Sequence, residues 1–224
     1  MKSFLQSSFR ETFGSNFNLD YDSRFKYPTT IGSADSRPLG TIYEKTSFAY
    51  IYKNTLIVTV DVLRHDGPSE VIGSLGTVTG QVTGDHLQWL DNVLQQGSVL
   101  AEVKNIIVQG HFPTLYPVKK TKSSGIYMDM NEDSEFWGVL RKHPVDIYFA
   151  GEAHLNTVTK DAESGIIQIV GRGNFFTNLF TIDITDDTID VTCYNEVGPE
   201  KTMENFNYEE SGHLRISKGS DFTE

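Results

Sequence analysis

Asn105–Pro113, NIIVQGHFP, and Val145–Thr157, VDIYFAGEAHLNT, carry one grammar: an apolar run of strand length, then a glycine, then a histidine no more than three residues later. Short continuous apolar runs bounded by polar residues fit strands covered on both faces, as parallel strands are. A glycine at a strand exit lets the chain turn sharply, so the next side chain can point into the crevice beyond the sheet edge. If the two strands are neighbours, His111, Glu152 and His154 can converge on one divalent cation, because two imidazoles and a carboxylate form an accepted ligand set. A single histidine after a strand is more often a surface or capping residue. The repetition singles these out, since no CxxC, HExxH or EF-hand spacing occurs in the chain.

On the amino side, Ser47–Leu63 (SFAYIYKNTLIVTVDVL) reads as a hairpin turning at Lys53 and Asn54, with its second strand buried. Asp61 interrupts that strand near its end, where it either reaches the histidines' crevice or accepts backbone hydrogen bonds. Thr83 opens a helix with Leu87, Leu90 and Leu94 on one face, Trp89 and Val93 beside them, Asp85 at the positive end and Gly97 after its close. Between the two quoted strands, Asn131–His143 predicts a second helix. It is acidic at its start (Glu132, Asp133, Glu135), basic at its end (Arg141, Lys142, His143) and stopped by Pro144. His143 therefore has a helix-end explanation.

Farther out, Leu5, Phe9 and Phe13 mark a short amphipathic helix ended by Gly14. The stretches 15–38, 65–84 and 112–130 read as loops, the last carrying Lys119, Lys120 and Lys122, which either meet a phosphate or, as exposed charges more often do, form a solvated basic cluster. Ile166–Val170, Phe175–Ile184 and Thr188–Tyr194 alternate as strands, the last two joined at Asp186 and Asp187, and Gly171–Asn174 (GRGN) is a tight loop. From Asn195 onward the chain is polar and weakly patterned, with a mobile end expected.

The 224 residues can bury one substantial core. A net charge of −11 disfavours nucleic-acid backbones and anionic membranes as general partners. Cys193 has no second cysteine to pair with and reads as a small core residue. The opening MKSFLQSSFRE lacks the apolar run of a secretory signal, and no stretch approaches a membrane span. The expected organisation is a lead-in over 1–46, a core over 47–194 and a polar tail over 195–224. Strands alternating with helices, followed by a run of strands, predict a layered α/β domain with mixed sheets.

Four blocks in order resemble the carboxyl-terminal half of the calcineurin-like metallophosphoesterases, which include purple acid phosphatases and nucleotidases. TGDHLQWLDNVL (Thr83–Leu94) looks like the family's QLxWLxxxL helix, and IIVQGHFP (Ile106–Pro113) like its strand and GH block. VDIYFAGEAHLN (Val145–Asn156) is similar to its GHxH block, and IIQIVGRGN (Ile166–Asn174) to the strand and glycine-rich loop that follow. The resemblance spans roughly Ser47–Tyr194 and implies an α/β/β/α sandwich with a two-metal centre at the strand ends. His111 would bind one metal and His154 the other, and Glu152 stands where the first histidine of GHxH would be. A carboxylate there shifts preference toward harder ions such as Mn²⁺, Fe or Mg²⁺.

The family's DxH, GDxxD and GNH blocks, which lie in its amino-terminal half, have no counterpart here. Two readings follow. One is a metal-dependent phosphoesterase, hydrolysing phosphomonoesters or diesters, of which this chain carries the later ligand blocks. The other is a non-catalytic binding or scaffold domain on the same fold. Without the bridging aspartate the chain should hold one metal at best. If half of a sandwich is missing, the faces of Leu56–Leu63 and Ile106–Val108 should lack partners and promote self-association through unpaired sheet.

Overall fold

The computed structural model describes residues 29–64, 71–72, 75–76, 78–116, 126–172, 178–196 and 208–218. The helix expected at Leu5–Phe13, the lysine cluster at 119–122 and the second half of the GRGN loop lie outside them.

The hairpin forms as expected: β1 (Phe48–Tyr52) pairs antiparallel with β2 (Thr55–Thr59) about a turn in which Lys53 takes a left-handed φ of 54°. β3 (Asn105–Gln109) and β4 (Ile147–Ala150) are the two quoted strands, and they are parallel neighbours. β5 (Thr157–Lys160) and β6 (Ile167–Val170) complete a six-stranded sheet in the order β5-β6-β4-β3-β2-β1. Its central strands β2, β3, β4 and β6 are parallel, and its edge strands β1 and β5 run against them. β5 was not anticipated, because TVTK is too short and polar to announce a strand. It forms by pairing back on β6.

Helix α1 (Gly84–Ser98) buries His86, Trp89, Leu90, Val93, Leu94 and Gly97, the three-and-four spacing of a single face. Gly97 is inside the helix rather than beyond it. A β-carbon there would collide with the Leu56 side chain, so packing of α1 on β2 explains the glycine better than capping does. The second predicted helix is also divided: Asn131–Asp133 forms a 3₁₀ turn, and Ser134 restarts the chain as N-cap of α2 (Glu135–Lys142). The Ser134 side chain accepts a hydrogen bond from Trp137 N–H, a cap worth about 1 kcal/mol. α2 buries Phe136 and Trp137 edge-on to Tyr148 of β4. His143, at the end of α2, reaches Asp91 of α1 at 2.6 Å, so it joins the two helices.

Both helices share one core with one face of the sheet. The opposite face of β4 and β6, through Ile147, Phe149, Ile167 and Ile169, packs on a second sheet of β7 (Asn178–Ile184), β8 (Thr188–Glu196) and β9 (Tyr208–Ser217). The layers are thus helices, mixed sheet and small antiparallel sheet. The stretch after Asn195 is weakly patterned in sequence, yet it contains the ten residues of β9. Only Leu214 and Ile216 of β9 pack inward among mostly exposed neighbours, so its periodicity is too diluted to show in sequence.

Two loop readings also change. Thr30–Ile31 pairs with Ala34–Asp35, and Val78–Gly80 pairs in parallel with Ile126–Met128. The apolar surfaces expected to stand open are covered: Leu56, Val58, Val60, Val62, Ile106, Ile107 and Val108 are each at most 5% exposed. Among the described residues, no helix is long and apolar enough to cross a membrane.

Candidate functional site

The four parallel strands end along one edge of the large sheet, and each is followed by a polar side chain: Asp61 after β2, His111 after β3, Glu152 after β4 and Arg172 after β6. Glycines precede the last three. Ladder bonding carries on through them, from Gly110 N–H to the Phe149 carbonyl, from Gly151 N–H to that of His111 and from Gly171 N–H to that of Ala150. At Gly110 the absence of a side chain is obligatory. A β-carbon would sit 2.7 Å from the Tyr148 hydroxyl and 3.0 Å from Val62. That hydroxyl donates to the Phe112 carbonyl at 2.7 Å and is fully buried, and its burial pushes the phenol far above its ordinary range, so Tyr148 is a neutral strut. Gly151 is an ordinary contact by comparison, its bare face lying against the His111 imidazole.

Across this edge His111 Nε2 meets Glu152 Oε2 at 3.0 Å. The imidazole is 58% exposed and the carboxylate only 9%, so a half-wet ring caps a nearly dry acid. Local backbone holds the acid in place. Ala153 is buried, and its N–H turns back to the Gly151 carbonyl at 2.7 Å. The residues on either side of it, Glu152 and His154, have left-handed φ of 61° and 53°. Such conformations cost a non-glycine residue roughly 1–2 kcal/mol each and persist only where surroundings impose them. Five described non-glycine residues have positive φ, and two of them lie within this one loop.

The structure therefore brings His111 and Glu152 into contact. His154 is exposed, and among the described residues no group of three or more His, Cys, Asp or Glu side chains is placed to hold a metal ion. Between Glu152 and His154 the chain passes through two left-handed residues around the buried Ala153. Asp61 follows the second of its two readings, its carboxylate accepting from Leu63 N–H at 3.0 Å.

Sequence reasoning passed over Asn156. Its carboxamide oxygen accepts from the backbone N–H of Arg172 and from Asn178 Nδ2, both at 3.0 Å. Its nitrogen donates to Asn195 Oδ1 at 3.2 Å and to the Cys193 sulfur at 3.3 Å. Beside it, a cavity of about 440 Å³ opens between the two sheets, walled by Ile169, Phe180, Val191 and Leu214. The one available signal was position, since Asn156 directly follows the His154 block. Cys193 is 9% exposed, as expected of a small core residue.

No protein-family model matches the chain, and no curated protein matches it.

Proposed function

We propose that this edge is a divalent-metal site of metallophosphoesterase type, with His111 and Glu152 as ligands, and that it serves the hydrolysis of phosphate mono- or diesters. The reading is supported by the His111–Glu152 contact at the ends of adjacent parallel strands. The donors suit such an ion. Imidazole nitrogen and carboxylate oxygen are ligand types that divalent ions accept, and the carboxylate would favour the harder ones.

A bound divalent cation would supply charge stabilisation to the phosphoryl group and acidify a water. The chain's own residues do the rest. Glu152, nearly dry, presents a carboxylate whose attraction for a cation is little screened. The exposed His111 ring leaves the solvent side open to an ester. Gly151 lies with its bare face against the His111 imidazole, at ordinary van der Waals distance. Two donors support a single cation, in keeping with the missing counterpart of the family's bridging aspartate. In hydrolysis, water adds to phosphorus, the ester P–O bond breaks, and the alcohol leaves with a proton.

A second reading is favoured by the same contact: each group already occupies the other, so the pair can serve as a latch between β3 and β4 in a non-catalytic domain. Calorimetric titration with Mn²⁺, together with turnover of an aryl phosphate, separates the two. Wild type should bind one equivalent, and His111→Ala and Glu152→Gln should each weaken it by roughly tenfold or more. Equal binding in all three proteins, or none in wild type, would remove the metal reading and leave the latch.

A further inference from the structure

We infer that Asn156 is a positioning residue for the His111–Glu152 pair, and that through it the small sheet sets the conformation of the loop carrying Glu152 and His154. The inference concerns the metal site proposed above but is carried by a different observation. A carboxamide has two N–H donors and an oxygen with two lone pairs. An exposed asparagine ordinarily gives these groups to water, yet Asn156 is exposed and both its oxygen contacts and both its nitrogen contacts go to protein. The partners come from three places. Arg172 follows β6, Asn178 opens β7, and Cys193 and Asn195 lie on β8. One side chain therefore pins the end of the loop to the large sheet and to two strands of the small one.

The pinning matters because the loop is held against its own preference. From Gly151 to Asn156 it passes through two left-handed residues, and released from its anchors it would relax toward ordinary backbone. At the near end it is fixed by Gly151 N–H on the His111 carbonyl and by the buried Ala153. At the far end, where β5 begins its pairing with β6 at Thr157, the Asn156 side chain adds the tie to the small sheet. Losing it frees the loop to turn Glu152 away from the 3.0 Å contact with His111 while the core, built on other residues, stays in place.

The test uses the whole chain and compares Asn156→Ala with Asn54→Ala. Asn54 also clasps the small sheet to the large one, through Asp186 at 2.8 Å, but at the opposite edge. The readout is the ring ¹⁵N and ¹H resonances of His111, with Glu152→Gln defining the unpaired state. Asn156→Ala should move them at least halfway to that reference and weaken Mn²⁺ binding roughly tenfold, whereas Asn54→Ala should do neither, whatever stability each loses in urea. Wild-type His111 resonances in Asn156→Ala would overturn the inference and leave Asn156 a plain clasp. If Asn156→Ala does not fold, Asn195→Ala, which cuts one of the four contacts, is judged by the same criterion. If wild type binds no Mn²⁺ the metal reading fails, and the resonances alone still decide the role of Asn156.

Discussion

At the edge where the parallel strands begin, charged and amide side chains tie the layers together. At the edge where they end, glycines and two left-handed residues shape the turns that carry His111 and Glu152. Lys218, just past β9, bridges to Asp146 ahead of β4 at 2.8 Å, and Asp146 also accepts from Ile106 N–H at the same distance. Arg141 of α2 makes two hydrogen bonds to Asp161, in the turn between β5 and β6, at 2.8 and 2.9 Å. These contacts satisfy their members. The opposite edge carries backbone strain and an acid 9% exposed beneath a histidine 58% exposed. One edge stabilises the fold, and the other spends some of that stability on geometry, as sites commonly do.

That contrast can be broken or sharpened by substitution. Gly110→Ala should be the most damaging at the site edge, lowering unfolding free energy by about 2–3 kcal/mol because the new methyl meets Tyr148 and Val62. An unchanged urea midpoint would show that the exit of β3 is not tightly packed.

At the anchoring edge, Arg141→Met should cost about 2 kcal/mol, since Asp161 is 4% exposed and would keep its Ser164 hydrogen bonds but lose its cation, while the 23% exposed arginine side chain moderates the loss. The pair also predicts an acid dependence. The Arg141 guanidinium, helped by Ser164, holds the Asp161 carboxyl well below the usual carboxylate range against the opposing effect of burial. The unfolded chain then binds this proton first as pH falls, so the contribution is complete above about pH 5 and lost progressively below the ordinary carboxylate pKa. Melting curves from pH 6 to pH 2 should show wild type losing more stability than Arg141→Met. Parallel curves would dismiss the pair as an anchor.

The site edge should also yield a gain. His154→Gly relieves a left-handed φ, and after the extra flexibility of glycine in the unfolded chain it should stabilise by about 0.5–1 kcal/mol. A loss of stability would mean that the imidazole itself supports the fold. Similarly small, His111→Ala should change stability by about 1 kcal/mol, since the ring is 58% exposed while the acid it leaves is only 9% exposed. A larger loss would make the His111–Glu152 contact structural and favour the latch.

Much of the scaffold was legible. The hairpin at Lys53–Asn54, α1, the two glycine-ended strands and the turn at Asp186–Asp187 all carry strong local signals. What escaped was weakly patterned or settled by distant neighbours. β5 and β9 exist because β6 and β8 offer them edges, and Gly97 marks a close approach to Leu56 rather than a helix end. At the site, the meeting of His111 and Glu152 was readable because repeated strand grammar placed them on adjacent strands. The separate course of His154 and the role of Asn156 were not, because they depend on a left-handed loop and on partners 16 to 39 residues away.

By itself, then, the sequence determined the elements whose causes are local: apolar periodicity, turn residues and glycines at strand exits, each acting within a few positions along the chain. Tertiary structure alone decided which edges paired, which glycine was a packing contact, and how two adjacent donors and one asparagine were held. Those outcomes depend on close contacts between residues far apart in the chain, and short-range steric and hydrogen-bond forces can choose among them only once the layers have come together.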